Sequence, residues 1–207
     1  NAVPRENAMD LSLSPEDRIG IARAMGEGLA ALQEATWPVH AWYDIERAEL
    51  QPLEELYADW YIGWTQYWLD LCRKASDATT DDDVAWVEEV AASAREALAV
   101  PFQPSLVHTD YHAENVVVAR DGAGWRVSGI FDLMDPYMGD GESDLPRSYA
   151  AFHLKDPRAA AAFLGAYLAL RPPRDGFAAR FRLYMLRDRL VFWEYGQRNK
   201  LWFRPGM

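Results

Sequence analysis

Apolar residues recur along the chain first at helical spacing and later at strand spacing. Ile19, Ala22, Met25, Leu29 and Leu32 fall at three- and four-residue steps, which predicts a helix with one buried stripe. Ser14-Pro15-Glu16-Asp17 marks its start with a cap, a proline at the first helical position and acids in the first turn. Residues 34–52 hold no sustained period and read as a loop with short turns. A second helix is expected over about 53–74, carrying Trp60, Tyr61, Trp64, Tyr67, Trp68 and Leu71. So many aromatic rings suit a core or an interface. Thr79-Thr80-Asp81-Asp82-Asp83 reads as a solvated cap for a third helix reaching about Leu98.

The period then shortens. Ser105-Leu106-Val107-His108 is strand-like, Asn115 to Ala119 is a β-branched run, Asp121-Gly122 with Gly124 supplies a turn, and Trp125 to Phe131 reads as the returning strand. Helical spacing resumes over about 145–153, 157–170 and 177–198, with a Pro- and Gly-containing loop at 171–176. There are no repeats. The expected fold is α+β, mainly α, around one small hairpin, and 207 residues suit one principal core.

Composition narrows the function. A formal net charge of -11 disfavours a broad nucleic-acid surface, which needs clustered Lys and Arg, and suits a cationic or neutral small ligand better. The single Cys72 excludes an intrachain disulfide and a cysteine-based zinc site, and fits a cytoplasmic location. No apolar run approaches the roughly 18 residues that span a bilayer, so no membrane partner is expected. The segment NAVPRENAMD lacks a basic region followed by an apolar stretch and lacks an initiator Met, so a fragment or a processed product is expected.

Reactive side chains are densest in His108-Thr109-Asp110-Tyr111-His112-Ala113-Glu114-Asn115, between two short strands. A hairpin returns its ends to one place, so Asp132, after Ile130 and Phe131, should come back near Asp110 and Asn115. A carboxylate and an amide oxygen are hard ligands suited to magnesium, which takes one or two carboxylates plus substrate phosphates. A further acid is left to orient and deprotonate a hydroxyl, and together these are the parts that phosphoryl transfer requires.

The spacing His108, Asp110, His112, Asn115, then Ile130 and Asp132, then Gly139, Asp140, Asp144 and Leu145 resembles the signature of the aminoglycoside phosphotransferase, choline kinase and fructosamine kinase superfamily. The resemblance implies a protein-kinase-like carboxyl-terminal lobe over residues 1–207. It implies Asp110 as catalytic base, Asn115 and Asp132 as magnesium ligands, and His108 as a buried brace of the catalytic loop. Asp140 and Asp144 would stabilise that loop and cap the next helix. ATP and Mg2+ are the implied cofactors, and a small-molecule hydroxyl acceptor of aminoglycoside, choline or sugar-amine type is the implied partner. His112, Asp135, Glu142, Trp193, Glu194 and Tyr195 are candidates to meet that acceptor, because acids and aromatic faces suit an amine.

Two departures stand out. Thr109, Ala113 and Glu114 occupy places where relatives often carry Gly and Pro-Gly, which bears on the geometry of the loop. The β-rich, nucleotide-gripping amino-terminal lobe has no counterpart before Ser14, and no glycine-rich phosphate loop occurs in the chain. The chain alone is therefore expected to bind ATP poorly and to be inactive, and its surface facing the missing lobe to favour self-association. A non-catalytic binding module is the alternative. A metal-dependent hydrolase using His108, Asp110 and His112 is a further one, short of a clear third imidazole.

Overall fold

The computed structural model describes residues 13–122, 124–133 and 135–201. The helices are α1 (Pro15–Leu32), α2 (Tyr57–Ala75), α3 (Asp81–Leu98), α4 (Leu145–His153), α5 (Pro157–Leu170) and α6 (Phe177–Arg198). The strands are β1 (Ala41–Asp44), β2 (Glu49–Pro52), β3 (Ser105–Val107), β4 (Val116–Asp121), β5 (Gly124–Ile130) and β6 (Tyr137–Gly139), with a short 3-10 turn at Gly141–Asp144. All six expected helices form, and the α2 helix starts at Tyr57 rather than near residue 53. The chain folds as two compact units. The first combines the residues up to Leu53 with Phe102–Pro173, and the second combines Glu54–Pro101 with the residues from Arg174 onward.

In the first unit α1 packs along α5 and against the β4–β5 hairpin. Ile21, Met25, Leu29, Phe163 and Tyr167 form its core, each no more than 1 % exposed. Ser14 caps α1 by accepting from the Asp17 N–H at 3.0 Å, and Asp17 in turn accepts from Trp125 Nε1 of the hairpin at 3.0 Å. The close approach of α1 to α5 depends on Gly26, where an added Cβ would stand 2.3 Å from the Phe163 carbonyl. The hairpin pairs Val116 with Ile130, with a bulge that leaves Ser128 without a partner opposite.

One sheet was not foreseen. Residues 34–52 are not a plain loop: β1 and β2 form an antiparallel pair within them, and β1 pairs with β6, which pairs with β3, giving the order β2-β1-β6-β3. These strands are three or four residues long, too short for a period to show. β2 is held by β1 beside it in sequence, whereas β1 meets β6 far along the chain, as in the stacking of Trp42 on Tyr137 with ring centres 6.1 Å apart. At its far end β6 runs into the 3-10 turn and α4, and so carries Asp140 and Asp144 into the unit's interior.

In the second unit α2, α3 and α6 pack on one another. Tyr61, Leu69, Val90, Leu98, Leu183 and Tyr184 fill the space between them. Thr80 and Asp83 form a reciprocal capping box on α3. Among the described residues no helix is long and apolar enough to cross a membrane.

Gly26→Ala should lower stability by about 1–3 kcal/mol, because α5 must retreat to admit the methyl group. A urea titration measures this, and an unchanged midpoint would contradict the packing described.

Candidate active site

The loop between β3 and β4 is shaped by one carboxylate. Asp144, 2 % exposed, accepts from the His108 N–H through Oδ2 and from the Thr109 N–H through Oδ1, each at 2.8 Å. Gln33, which caps the end of α1, reaches the same carboxylate with Nε2 at 3.4 Å, and Tyr167 of α5 holds Gln33 by donating to its Oε1 at 2.7 Å. Burial pushes the Asp144 pKa up, and the two backbone donors act against it.

Clamping two successive N–H groups forces a sharp turn. Thr109 takes φ 72, a left-handed conformation that a β-branched residue adopts at a cost of about 1–3 kcal/mol. This is the first of the positions where relatives often carry Gly, so the departure concerns loop strain. Tyr111 anchors the far side: its hydroxyl donates to the Met25 carbonyl at 2.8 Å, and its own carbonyl accepts from Ser148 Oγ at 2.8 Å.

His108 is fully buried and uses both ring nitrogens. Nε2 lies 2.8 Å from the Phe131 carbonyl and so must be the protonated nitrogen, while Nδ1 accepts from the Asp110 N–H at 3.3 Å. It ties the start of the loop to the end of the hairpin, and neither nitrogen is left to ligate a metal, which weighs against the hydrolase reading. Among the described residues no group of three or more His, Cys, Asp or Glu is arranged to hold a metal ion.

Asp110 is ringed by donors. Arg147 of α4 pairs with Oδ1, His112 Nε2 stands 3.4 Å from Oδ1, and Asn115 Nδ2 donates to Oδ2 at 3.1 Å and to the Asp110 carbonyl at 3.0 Å. Together, the His112 hydrogen bond first and then Arg147 and Asn115, they hold the carboxyl below the usual carboxylate range, against the opposing effect of burial. Asn115 spends its amide hydrogens on Asp110, which leaves Oδ1 as a hard oxygen donor without a partner among the described residues. The Phe131 N–H donates to the Asn115 carbonyl at 2.9 Å, so Asp132 follows directly on the residue that closes the hairpin. Asp132 is exposed, sits at φ 63, and has no ion pair or hydrogen bond among the described residues. These two oxygen donors have the chemistry magnesium takes, with phosphates and water completing the set.

The remaining candidates are dispersed. Asp140 is buried and caps the 3-10 turn by accepting from the Glu142 N–H at 3.1 Å, and Glu142 itself is only 6 % exposed. Asp135 is exposed in the bend after the hairpin. Trp193, Glu194 and Tyr195 belong to the second unit. There Trp193 Nε1 donates to Thr79 Oγ1 at 2.9 Å and Glu194 is paired with Arg198 at 2.7 Å. Arg147 and Gln33 were missed. For Arg147 a signal existed, since it follows Asp144 by three residues on a helix start, and so shares the face that meets the loop. Nothing local marks Gln33.

A family model described as the Phosphotransferase enzyme family, APH, matches residues 2–179. The chain belongs to this family. No curated protein matches the chain. Among solved structures, aminoglycoside phosphotransferase APH(4)-Ia is 16 % identical with a TM-score of 0.65, over 98 % of this chain and 64 % of that one. A protein provisionally assigned as a fructosamine-3-kinase from Thermobifida fusca YX-ER1 is 21 % identical with a TM-score of 0.56, over 88 % and 62 %. Aminoglycoside-3'-phosphotransferase of type VIII is 19 % identical with a TM-score of 0.57, over 91 % and 66 %. The chain thus spans less than two thirds of the length of these first relatives. The family's fold is the kinase-like α+β, mainly helical one read from the sequence.

Asp144→Ala should cost on the order of 2–5 kcal/mol by orphaning two enclosed N–H groups, whereas Thr109→Gly should hold or raise stability by up to about 1 kcal/mol. Thermal unfolding of both variants checks the pair, and equal losses would contradict the clamp. Because the folded pKa of Asp110 is depressed, its contribution to stability is present above the unfolded pKa of about 3.9 and is lost as pH falls through the folded value. Carboxyl carbon NMR should therefore find Asp110 titrating below that value, and shifted upward in Arg147→Met.

Proposed function

We propose that the protein, together with a nucleotide-binding lobe, transfers the γ-phosphoryl group of ATP to a hydroxyl of a small molecule, in the cytoplasm. The observations that support the reading are that Asp110 and Asn115 share one clamped loop and that the Phe131 N–H, next to Asp132, ties the hairpin's end to the Asn115 carbonyl. Asp110 is the proposed base. Held ionised by Arg147, His112 and Asn115, it is ready to take a proton, and the acceptor's hydroxyl would join or displace the donors on Oδ1. Asn115 Oδ1 and the Asp132 carboxylate would hold magnesium. The ion supplies charge neutralisation on the transferred phosphate.

The acceptor class proposed is an aminoglycoside, choline or sugar amine. APH(4)-Ia has been captured in a ternary complex with AMP-PNP and hygromycin B, which supports an amine-bearing acceptor for a chain of this fold. His112, Asp135, Glu142, Trp193, Glu194 and Tyr195 remain the proposed contacts. The 207-residue chain by itself is expected to bind ATP poorly and to turn over nothing. Self-association through surface meant for the other lobe is the corresponding expectation for its solution state.

Calorimetry of the chain with Mg-ATP, beside aminoglycosides, choline and fructosamines, tests the acceptor assignment. Binding of one acceptor class without appreciable ATP binding supports it, and silence with every acceptor counts against it. In the chain joined to a nucleotide-binding lobe, Asp110→Ala should lower turnover by about 100-fold or more, with the fold intact. Asp132→Ala should raise the magnesium-nucleotide requirement, and full turnover in Asp110→Ala would remove the base from its role.

A further inference from the structure

Arg147 lies in the first turn of α4, directly after Leu145 and Pro146. A cation is disfavoured there, because the amino-terminal end of a helix already carries partial positive charge. What the side chain meets accounts for the position instead. Arg147 pairs with Oδ1 of Asp110, and its side chain is 16 % exposed against 35 % for the aspartate. His112 Nε2 stands 3.4 Å from the same oxygen, and Asn115 Nδ2 donates to Oδ2 at 3.1 Å. Asp110 thus has a cation held at its side while part of its carboxylate still faces solvent.

This arrangement bears on which hydroxyl the base receives. The inference rests on the phosphotransferase reading, in which the acceptor's hydroxyl comes within hydrogen-bond distance of Asp110. A bare carboxylate would draw an acceptor by any cation close to that hydroxyl as well as by the hydroxyl itself. Here the guanidinium already balances the negative charge, so a second cation gains no net attraction from the pair and is repelled by its positive member. An uncharged neighbour loses nothing, since an ionised carboxylate has lone pairs for several donors. We infer that Arg147 is a specificity-determining residue: by occupying Asp110 it favours a hydroxyl flanked by uncharged groups, as on a sugar ring, over one that adjoins a cation, as in choline. Among the acceptor classes proposed above, choline is thereby set aside.

The test is calorimetry of the chain at low ionic strength with choline and, separately, with the alcohol in which a tert-butyl group replaces its trimethylammonium. The two have the same shape and differ in charge. A unit charge about 4 Å away near a protein surface shifts an association constant by several hundredfold, and the exposure of Asp110 screens much of that. The wild-type chain is expected to bind choline no tighter than the uncharged alcohol. Arg147→Met should bind choline about tenfold or more tighter than the uncharged alcohol, and combining it with Asp110→Asn should remove the gain. A merely structural role for Arg147 would affect both alcohols alike. Preference for choline in the wild type, or no such preference in Arg147→Met, overturns the assignment. If Arg147→Met does not fold, Arg147→Gln removes the same charge and decides in the same way. The phosphotransferase reading itself fails by a different result, full turnover in Asp110→Ala.

Discussion

The grip of Asp144 on two consecutive backbone N–H groups is the interaction on which the candidate site depends. Without it nothing would hold Thr109 in a conformation that its branched side chain disfavours. That turn is what separates the direction of His108, which goes inward to Phe131, from that of Asp110, which meets Arg147. The clamp has its own support. Gln33 stands at the end of α1 and Tyr167 on α5, helices whose contact is made close by Gly26, so the helix packing of the first unit is transmitted to the loop through four residues. Packing density and chemical geometry are here one problem.

Within this frame three aspartates of similar intrinsic acidity are given different work by their neighbours. Asp144 is enclosed and spent on backbone. Asp110 is half-buried and surrounded by side-chain donors that keep it charged. Asp132 faces solvent, with no cation paired to it among the described residues. A carboxylate engaged by movable side chains can exchange one of them for a substrate hydroxyl, and a carboxylate free of them can accept a metal ion.

Much of this was legible in the sequence, and the reasons differ by element. The six helices announce themselves by period and by caps such as Ser14 and Thr80, because both signals are local. The hairpin was legible from its turn residues, and the spacing of His108, Asp110, Asn115 and Asp132 carried the site because strand ends meet by topology. The β2-β1-β6-β3 sheet was not legible: its strands are too short to show a period, and the β1–β6 pairing that joins its halves brings together residues far apart in sequence, as Trp42 and Tyr137 are. Gln33 escaped for the same reason. It is an ordinary helix-end glutamine until α5 and the 3-10 turn close around it. Arg147 could have been found from its helical offset to Asp144.

The division of the chain into units has a consequence for biosynthesis. The first unit's sequence ends at Pro173, so all of it leaves the ribosome ahead of α6, and the loop bearing Asp110 has its frame complete before α6 emerges. The second unit cannot do so. Its α2 and α3 helices emerge early but wait for α6, which supplies Tyr184 against Tyr61 and Arg187 over Trp64. During that interval part of the aromatic face of α2 lacks its α6 partners.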